Sequence, residues 1–472
     1  MFIYNTLSGK KEEVKNTGRT LRLFVCGPTV YDYAHIGHAR TYLVFDSIVR
    51  YLRYRNFDVF YLQNITDIDD KIIERGKSEK RSPFALVKSF EKKYLEDMKN
   101  LGIVSVNEYA PASKFIPEIV RQVQALIKKG YAYEAEDGYY FDISKFKDYG
   151  KLAHRTVEAA EDSTSRIDTG KDKINKGDFA LWKFVSSKNP TGKKMKIIKG
   201  EPAWNTSLGW GRPGWHIEDT AISEKFFGPQ YDLHGGAVDL KFPHHEAEIA
   251  QQEAASGKHP FVKTWMHTGF LLINGKKMSK SLKNFLTIRD FLKEYPPEVL
   301  RWMVLRHHYR SPVNYTNALA EQARTEILKL TDLVNKLNMV IKNNKKIVSS
   351  GDMHIHIEKL QRSFHETLDD DFNTPEFMGH LFASEAMYQD KLWGVSAEDA
   401  KKLKEFIDST LDILGIKLKT YKIPRDIQKI ANDREKFRGS KQFMQSDALR
   451  KKLKGLGYSL EDTPLGPWLK PI

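Results

Sequence analysis

The sequence predicts an α/β fold organised on a parallel sheet, interrupted by an insertion and followed by a helical extension that ends in a small basic module. Three observations lead there. A strand, a helix-period segment and a second strand follow one another within about forty residues near the start; the regular alternation then breaks and resumes; and the last third turns helical, with positive charge gathered at its end. At 472 residues and 40% hydrophobic content, the chain can bury a large core and is long enough for about three domains.

Leu21 to Cys26 reads as a short buried strand that stops at Gly27-Pro28. Tyr42, Leu43, Phe45, Val49 and Leu52 then recur with helical spacing, and Val59 to Leu62 reads as the next strand. Such a βαβ unit has a right-handed crossover and gathers ligands at the strands' carboxyl ends, so Cys26 and Thr66 are expected to face one crevice.

From about Ala110 to Glu201 the pattern is irregular, with a strand candidate at Tyr139-Tyr140-Phe141. The stretch Lys183 to Lys199, including Lys193, Lys194 and Lys196, has no acidic residue and is either a solvated hairpin or a nucleic-acid contact. The α/β character resumes near Trp210. Pro243 is expected to open a helix through His244, Glu248 and Gln252, and Pro297 one that turns Leu300, Met303 and Val304 inward. After Tyr315 the chain reads as helical, with a linker at Asn343 to Gly351 and Thr374 as a capping residue ahead of Pro375 and Glu376.

The expected partition is therefore 1–110 with 202–315 for the parallel-sheet domain, 111–201 for the insertion, 316–414 for a helical domain and 415–472 for the basic end. That end holds 14 Lys/Arg against 6 Asp/Glu, a net of +8, which is over half of the chain's +15. Charge concentrated in one module favours a polyanion bound away from the chemistry. Phe437, Phe443, Leu449 and Leu453 are expected to form its apolar side.

A single cysteine, Cys26, excludes an intrachain disulfide and suits a reducing compartment. The start, Met1-Phe2-Ile3-Tyr4-Asn5, lacks the charge and apolar pattern of a leader, and no window is apolar for long enough to span a bilayer. A soluble cytoplasmic protein with no membrane partner is expected.

Two motifs carry chemistry. His35-Ile36-Gly37-His38 lies between the first strand and its helix, where free backbone N–H groups favour a phosphate and two imidazoles can stabilise charge on phosphoryl oxygens. Lys277-Met278-Ser279-Lys280-Ser281, with Gly275 before it and Asn284 after, puts two ammonium groups in a polar loop able to clamp a triphosphate.

Together these motifs resemble those of the class I aminoacyl-tRNA synthetases, and Phe24-Val25-Cys26-Gly27-Pro28-Thr29-Val30-Tyr31-Asp32 is similar to the cysteinyl branch of that family. Further similar segments follow in order: Asn64 to Lys71, Gly214-Trp215-His216-Ile217-Glu218, His234-Gly235-Gly236, Phe242-Pro243-His244-His245-Glu246, Asp369 to Pro375, and Leu460 to Pro464 near the end. The resemblance implies a Rossmann-like catalytic domain, a helical bundle and a C-terminal anticodon-binding domain, acting as a monomer. It implies ATP with magnesium, L-cysteine and the tRNA for cysteine as partners, and formation of cysteinyl-adenylate followed by transfer to tRNA. It places His35 and His38 at the α-phosphate, and Lys280, Lys277 and Ser279 at the pyrophosphate. Gly27, Thr66, Trp215, His234 and Asp239 match positions that line the family's cysteine and adenylate pocket.

The resemblance also implies zinc, which tells a thiolate from a hydroxyl by ligand softness and makes editing unnecessary. The family holds it with two cysteines, a histidine and a glutamate. The matching positions here are Cys26, His244 and Glu248, with Asp219 where the second cysteine stands in the family. Two rivals share parts of the pattern: a ligase that joins activated cysteine to a small amine, and a tRNA-binding protein without catalysis.

Overall fold

The computed structural model describes residues 1–155, 172–185, 195–278, 284–343 and 351–472. The chain divides into two compact units, one comprising residues 1–297, 307–316 and 370–372, the other residues 298–306, 317–369 and 373–472.

The first unit is built on five strands that all pair in parallel. Their spatial order is Val262–Thr268, Tyr231–Ala237, Leu21–Val25, Val59–Ile65 and Glu108–Pro111. The first strand in sequence is thus central, and the chain winds away from it in opposite directions in its two halves. Crossovers leave a crevice where that direction reverses, outside the carboxyl ends of Leu21–Val25 and Tyr231–Ala237. Cys26 is the first residue past the central strand, and its N–H donates to Gly235 O at 3.0 Å. Thr66 sits just past the next strand, with Thr66 N donating to Pro28 O at 3.1 Å, so Cys26 stands at the crevice as expected, whereas Thr66 is buried at its strand's end.

The helix Ile36–Tyr54 covers the sheet and is buried over most of its length. Arg40, buried within it, donates to the carbonyls of Phe270, Tyr309 and Ser311, so its charge also holds the later chain in place.

The irregular middle of the sequence forms a six-stranded antiparallel sheet in the order Ala132–Ala135, Gly138–Phe141, Phe179–Phe184, Gly209–Pro213, Glu201–Thr206 and Met195–Ile198. Of the lysine-rich stretch, Lys193 and Lys194 lie outside the described residues, while Lys183 ends inside this sheet and pairs with Asp70 at 2.9 Å. The α/β alternation resumes with the helix Trp215–Phe227.

Pro243 does not open a regular helix. Lys241–His245 forms a π-helical turn with Phe242 extended, and the α-helix is Glu246–Ser256. The wider turn places His244 and His245 separately against the sheet end, and the reason is tertiary: both rings are buried.

The second unit is mostly helical, with Asn317–Asn343, Gly351–Asp369, Thr374–Lys391 and Ala397–Ile413 as its main helices. The helix Pro297–Leu305 begins as expected, and Leu300, Met303 and Val304 are buried. The expected linker falls largely on residues 344–350, outside the described ones. Thr374 is not a cap. It is the first helical residue, and its hydroxyl donates instead to Leu305 O at 2.7 Å.

The basic end folds as helices Arg425–Gly439 and Phe443–Gly455 and the hairpin Tyr458–Thr463 with Gly466–Pro471. Its core is Ile427, Ala431, Leu453, Leu460 and Leu469. Of the four expected apolar positions only Leu453 belongs to it, and Phe443 is 60% exposed, because the hairpin selects which helix face is covered. Among the described residues no helix is long and apolar enough to cross a membrane.

Candidate functional site

The helix Ile36–Tyr54 begins at the crevice, and its N-cap is His35. His35 Nδ1 accepts from Gly37 N at 3.1 Å and His38 N at 3.3 Å, while His38 Nδ1 accepts from His35 N at 3.4 Å. This reciprocal cap satisfies three donors that a helix start otherwise leaves open. It also decides the tautomer. A neutral imidazole whose Nδ1 accepts carries its proton on Nε2, so each ring keeps one N–H to donate outward.

Burial pushes the His35 pKa down to about 4, and burial together with His35 and Lys71 pushes His38 well below the usual histidine range. Both rings are therefore neutral at physiological pH, stacked with centroids 3.8 Å apart. A pair of imidazoles this close tolerates neutrality far better than double charge. Gly37 between them has no room for a side chain, since a Cβ would stand 2.9 Å from His35 Nδ1.

A cavity of about 310 Å³ opens in front of this helix start. Its wall includes Cys26, Gly27, His35, His38, Trp215, Asp239 and Lys277 among the residues singled out from the sequence. Thr66 and His234, expected to line the pocket, are not part of its wall, nor are Asp219, His244 and Glu248; all five are buried. Ser279 and Lys280 lie outside the described residues. Lys277 Nζ stands 3.1 Å from Asp239 Oδ2 and 4.6 Å from the centre of the Phe270 ring. An exposed pair of this kind is worth about 0–1 kcal/mol, so an entering phosphate can take the ammonium at little cost. Gly27 is demanded by its neighbour: a Cβ there would lie 1.7 Å from Asn64 O.

Below the cavity is a fully buried cluster. His244 Nε2 is 3.0 Å from Asp219 Oδ2 and 2.9 Å from Glu248 Oε1, and Cys26 Sγ is 3.8 Å from the same Glu248 oxygen. The i, i+4 spacing of His244 and Glu248 thus survives the π turn. Asn64 Nδ2 donates to Asp219 Oδ1, and Trp215 stacks on His244 with ring centres 4.3 Å apart.

Burial, then the carboxylates of Glu248 and Asp219, push the Cys26 thiol well up. Burial likewise raises Glu248. Burial opposes charge on His244, but Glu248 and Asp219 outweigh it and hold the ring cationic, at about 10. A thiol and two carboxyl groups this close together call for a positive charge among them. Cys26, Asp219, His244 and Glu248 each offer a ligand atom within 4.8 Å of the others, and Glu248 Oε2 is buried with no hydrogen-bond partner among the described residues. The donor set of one sulfur, one nitrogen and two oxygens fits a zinc-class ion, with Asp219 supplying a harder ligand than a cysteine.

Sequence reasoning gave no site role to His245, His216 and His267, although the first two lie in the segments Phe242 to Glu246 and Gly214 to Glu218. His245 Nε2 is 3.1 Å from Cys26 Sγ, His267 Nε2 is 2.8 Å from His245 Nδ1, and His216 Nδ1 is 2.8 Å from His244 Nδ1. Burial lowers the pKa of all three. Those two segments were the available signals, whereas His267 arrives from another strand, Val262–Thr268.

Comparison with known proteins bears on this geometry. The family described as tRNA synthetases class I (C) catalytic domain matches residues 12–325, and the DALR domain matches residues 363–419. A cysteine–tRNA ligase of Thermoplasma volcanium is 42% identical over 467 residues, covering 98% of each chain. This chain belongs to the cysteine–tRNA ligase family of class I tRNA synthetases. A second family member, from Thermococcus onnurineus, is 40% identical and covers 100% of this chain and 99% of its own. The family's fold extends to a Mycobacterium tuberculosis methionyl-tRNA synthetase in complex with methionyl-adenylate, with a TM-score of 0.61 at 15% identity over 84% of this chain and 89% of the other.

Proposed function

We propose that the chain activates L-cysteine with ATP to cysteinyl-adenylate and transfers the cysteinyl group to the 3′ end of cysteine tRNA in translation. The observation that carries this reading is the pair of neutral, Nε2-protonated imidazoles at a helix start directly above a buried thiol, histidine and carboxylate cluster. Family membership and the presence of His35, His38 and Lys277 at the cavity support it.

In the first step the cysteine carboxylate attacks the α-phosphorus of ATP, the bond to the β-phosphate oxygen breaks, and pyrophosphate leaves. His35 and His38 donate their Nε2–H groups to α-phosphoryl oxygens, where charge grows in the transition state, and the helix start adds its dipole. Lys277 exchanges Asp239 for the leaving pyrophosphate, joined in this reading by Ser279 and Lys280, and magnesium accompanies ATP. In the second step a ribose hydroxyl at the tRNA's 3′ end attacks the acyl carbon and AMP departs.

Gly27, Thr66, Trp215, His234 and Asp239 are assigned to the cysteine and adenylate subsites, and of these Gly27, Trp215 and Asp239 line the cavity. Cys26, Asp219, His244 and Glu248 are assigned a zinc ion. Held by these residues, a zinc ion would supply a soft coordination position that suits a substrate thiolate and not the side chains of serine or alanine. The basic module at 415–472 is assigned the anticodon end, and the chain acts as a cytoplasmic monomer in this reading. The partition anticipated from the sequence, with 111–201 as a connective insertion and 316–414 as a helical domain, is retained as part of the proposal.

Cysteine-dependent exchange of pyrophosphate into ATP, run also with serine and alanine and with and without a chelator, tests the reading, followed by charging of total tRNA. Exchange with cysteine alone and charging are the expected results. No exchange at saturating cysteine overturns the enzyme reading, and exchange without charging transfers the acceptor to a small amine.

A further inference from the structure

Glu248 faces two ways. Its Oε1 meets His244, as described, whereas its Oε2, the atom with no hydrogen-bond partner among the described residues, lies 3.5 Å from His234 Nε2. Cys26 Sγ, 3.8 Å from Oε1, also stands 3.3 Å from His234 Nε2 and 3.1 Å from His245 Nε2. All four side chains are buried, and each offers a ligand atom within 4.8 Å of the others.

We propose that Cys26, His234, His245 and Glu248 form a second seat for a zinc-class ion, adjoining the first, so that one ion has two positions sharing Cys26 and Glu248. The proposal rests on the metal reading of the site given above.

Three features carry it. Donors at about 2.0–2.3 Å around a tetrahedral ion stand about 3.3–3.8 Å from one another, and the second seat's separations of 3.1, 3.3 and 3.5 Å approach that spacing. Each metal-facing Nε2 has its ring oriented from behind: His234 Nδ1 is 2.6 Å from Tyr231 OH, and His245 Nδ1 is 2.8 Å from His267 Nε2. The ligands also suit the charge. One sulfur, two imidazole nitrogens and one carboxylate are softer than the first seat's donors, and two anionic ligands neutralise a divalent ion where three leave a buried excess. Asp219 already has Asn64 and His244 as partners and does not need the ion.

Gly236 makes the room. A Cβ on it would stand 2.7 Å from His245 Cε1 and 3.0 Å from Nε2, so the second glycine of His234-Gly235-Gly236 permits the ring to reach the seat.

The test dismantles the first seat in the full chain with D219N/H244Q and measures zinc by mass spectrometry and by competition with a chromophoric chelator. Zinc retained within about ten-fold of wild-type affinity is expected, as is its loss when H245Q is added. A double variant without zinc, while wild type binds one ion, overturns the second seat and leaves the first standing. Wild type that binds no zinc overturns both. Zinc-edge X-ray absorption of the unmodified protein is independent of variant folding: more than one imidazole per ion supports the second seat, and a single imidazole overturns it.

Discussion

Asn64 holds Asp219 in place, its Nδ2 donating to Asp219 Oδ1 at 2.5 Å while its Oδ1 accepts from Gly27 N at 2.5 Å. One buried amide thereby links the end of a central strand, the loop after Cys26 and the buried cluster. Asn64→Ala strips a partner from a buried carboxylate and from a backbone N–H. A loss of about 1–3 kcal/mol is expected from urea unfolding, with weaker zinc retention in the same preparation.

His35 does two jobs that one substitution separates. Asparagine is a good N-cap, so His35→Asn keeps the helix start and loses the Nε2–H donor. Stability within about 0.5 kcal/mol of wild type is expected, together with a fall of about 10²–10³-fold in the cysteine-dependent exchange rate. An exchange rate that follows stability instead would reduce His35 to a cap.

Gly27→Ala tests steric demand rather than chemistry. The new methyl meets the Asn64 carbonyl oxygen, a backbone atom that cannot rotate aside. Destabilisation of about 3 kcal/mol or more is expected in urea unfolding, at the upper end for overpacking.

Asp67 gives a pH signature away from the Cys26 cluster. Burial raises its pKa from 3.8 to about 6, against the pull of hydrogen bonds from Ser113 N at 2.8 Å and Ser113 Oγ at 2.5 Å. The folded chain keeps this proton while the unfolded chain has released it, so the group's stability is full below 3.8 and is lost as pH rises through about 6. Asp67→Asn removes that slope. Its stability relative to wild type should grow by up to about 3 kcal/mol between pH 4 and pH 7, read by urea unfolding at each pH.

Much of the molecule was legible in the sequence because its signals are local. The strand at Leu21 and the helix carrying Tyr42 to Leu52 follow from apolar spacing, and the junction at Cys26 from the chain's own punctuation. The helix start at Pro297 was readable for the same reason. Phe443 was misplaced because helical periodicity names an apolar position without naming the partner, and the terminal hairpin covers a different face. Thr374 failed as a cap for a similar reason, its hydroxyl being claimed by Leu305 O from a distant helix.

The cluster under the cavity divides along the same line. The sequence by itself determined that Cys26, Asp219, His244 and Glu248 belong together, through family resemblance and the i, i+4 spacing of the last two. It also placed the imidazoles of His35 and His38 at a helix start. Only the tertiary structure decided which nitrogen of His35 and His38 carries the proton, because that depends on backbone donors at a helix cap. Only the tertiary structure brought His245 and His234 onto Cys26, through a π turn and a parallel strand that register on the central one. Sequence spacing encodes neighbours on one element, whereas contacts between elements are chosen by packing, where burial of every polar atom has to be matched by a partner or an ion.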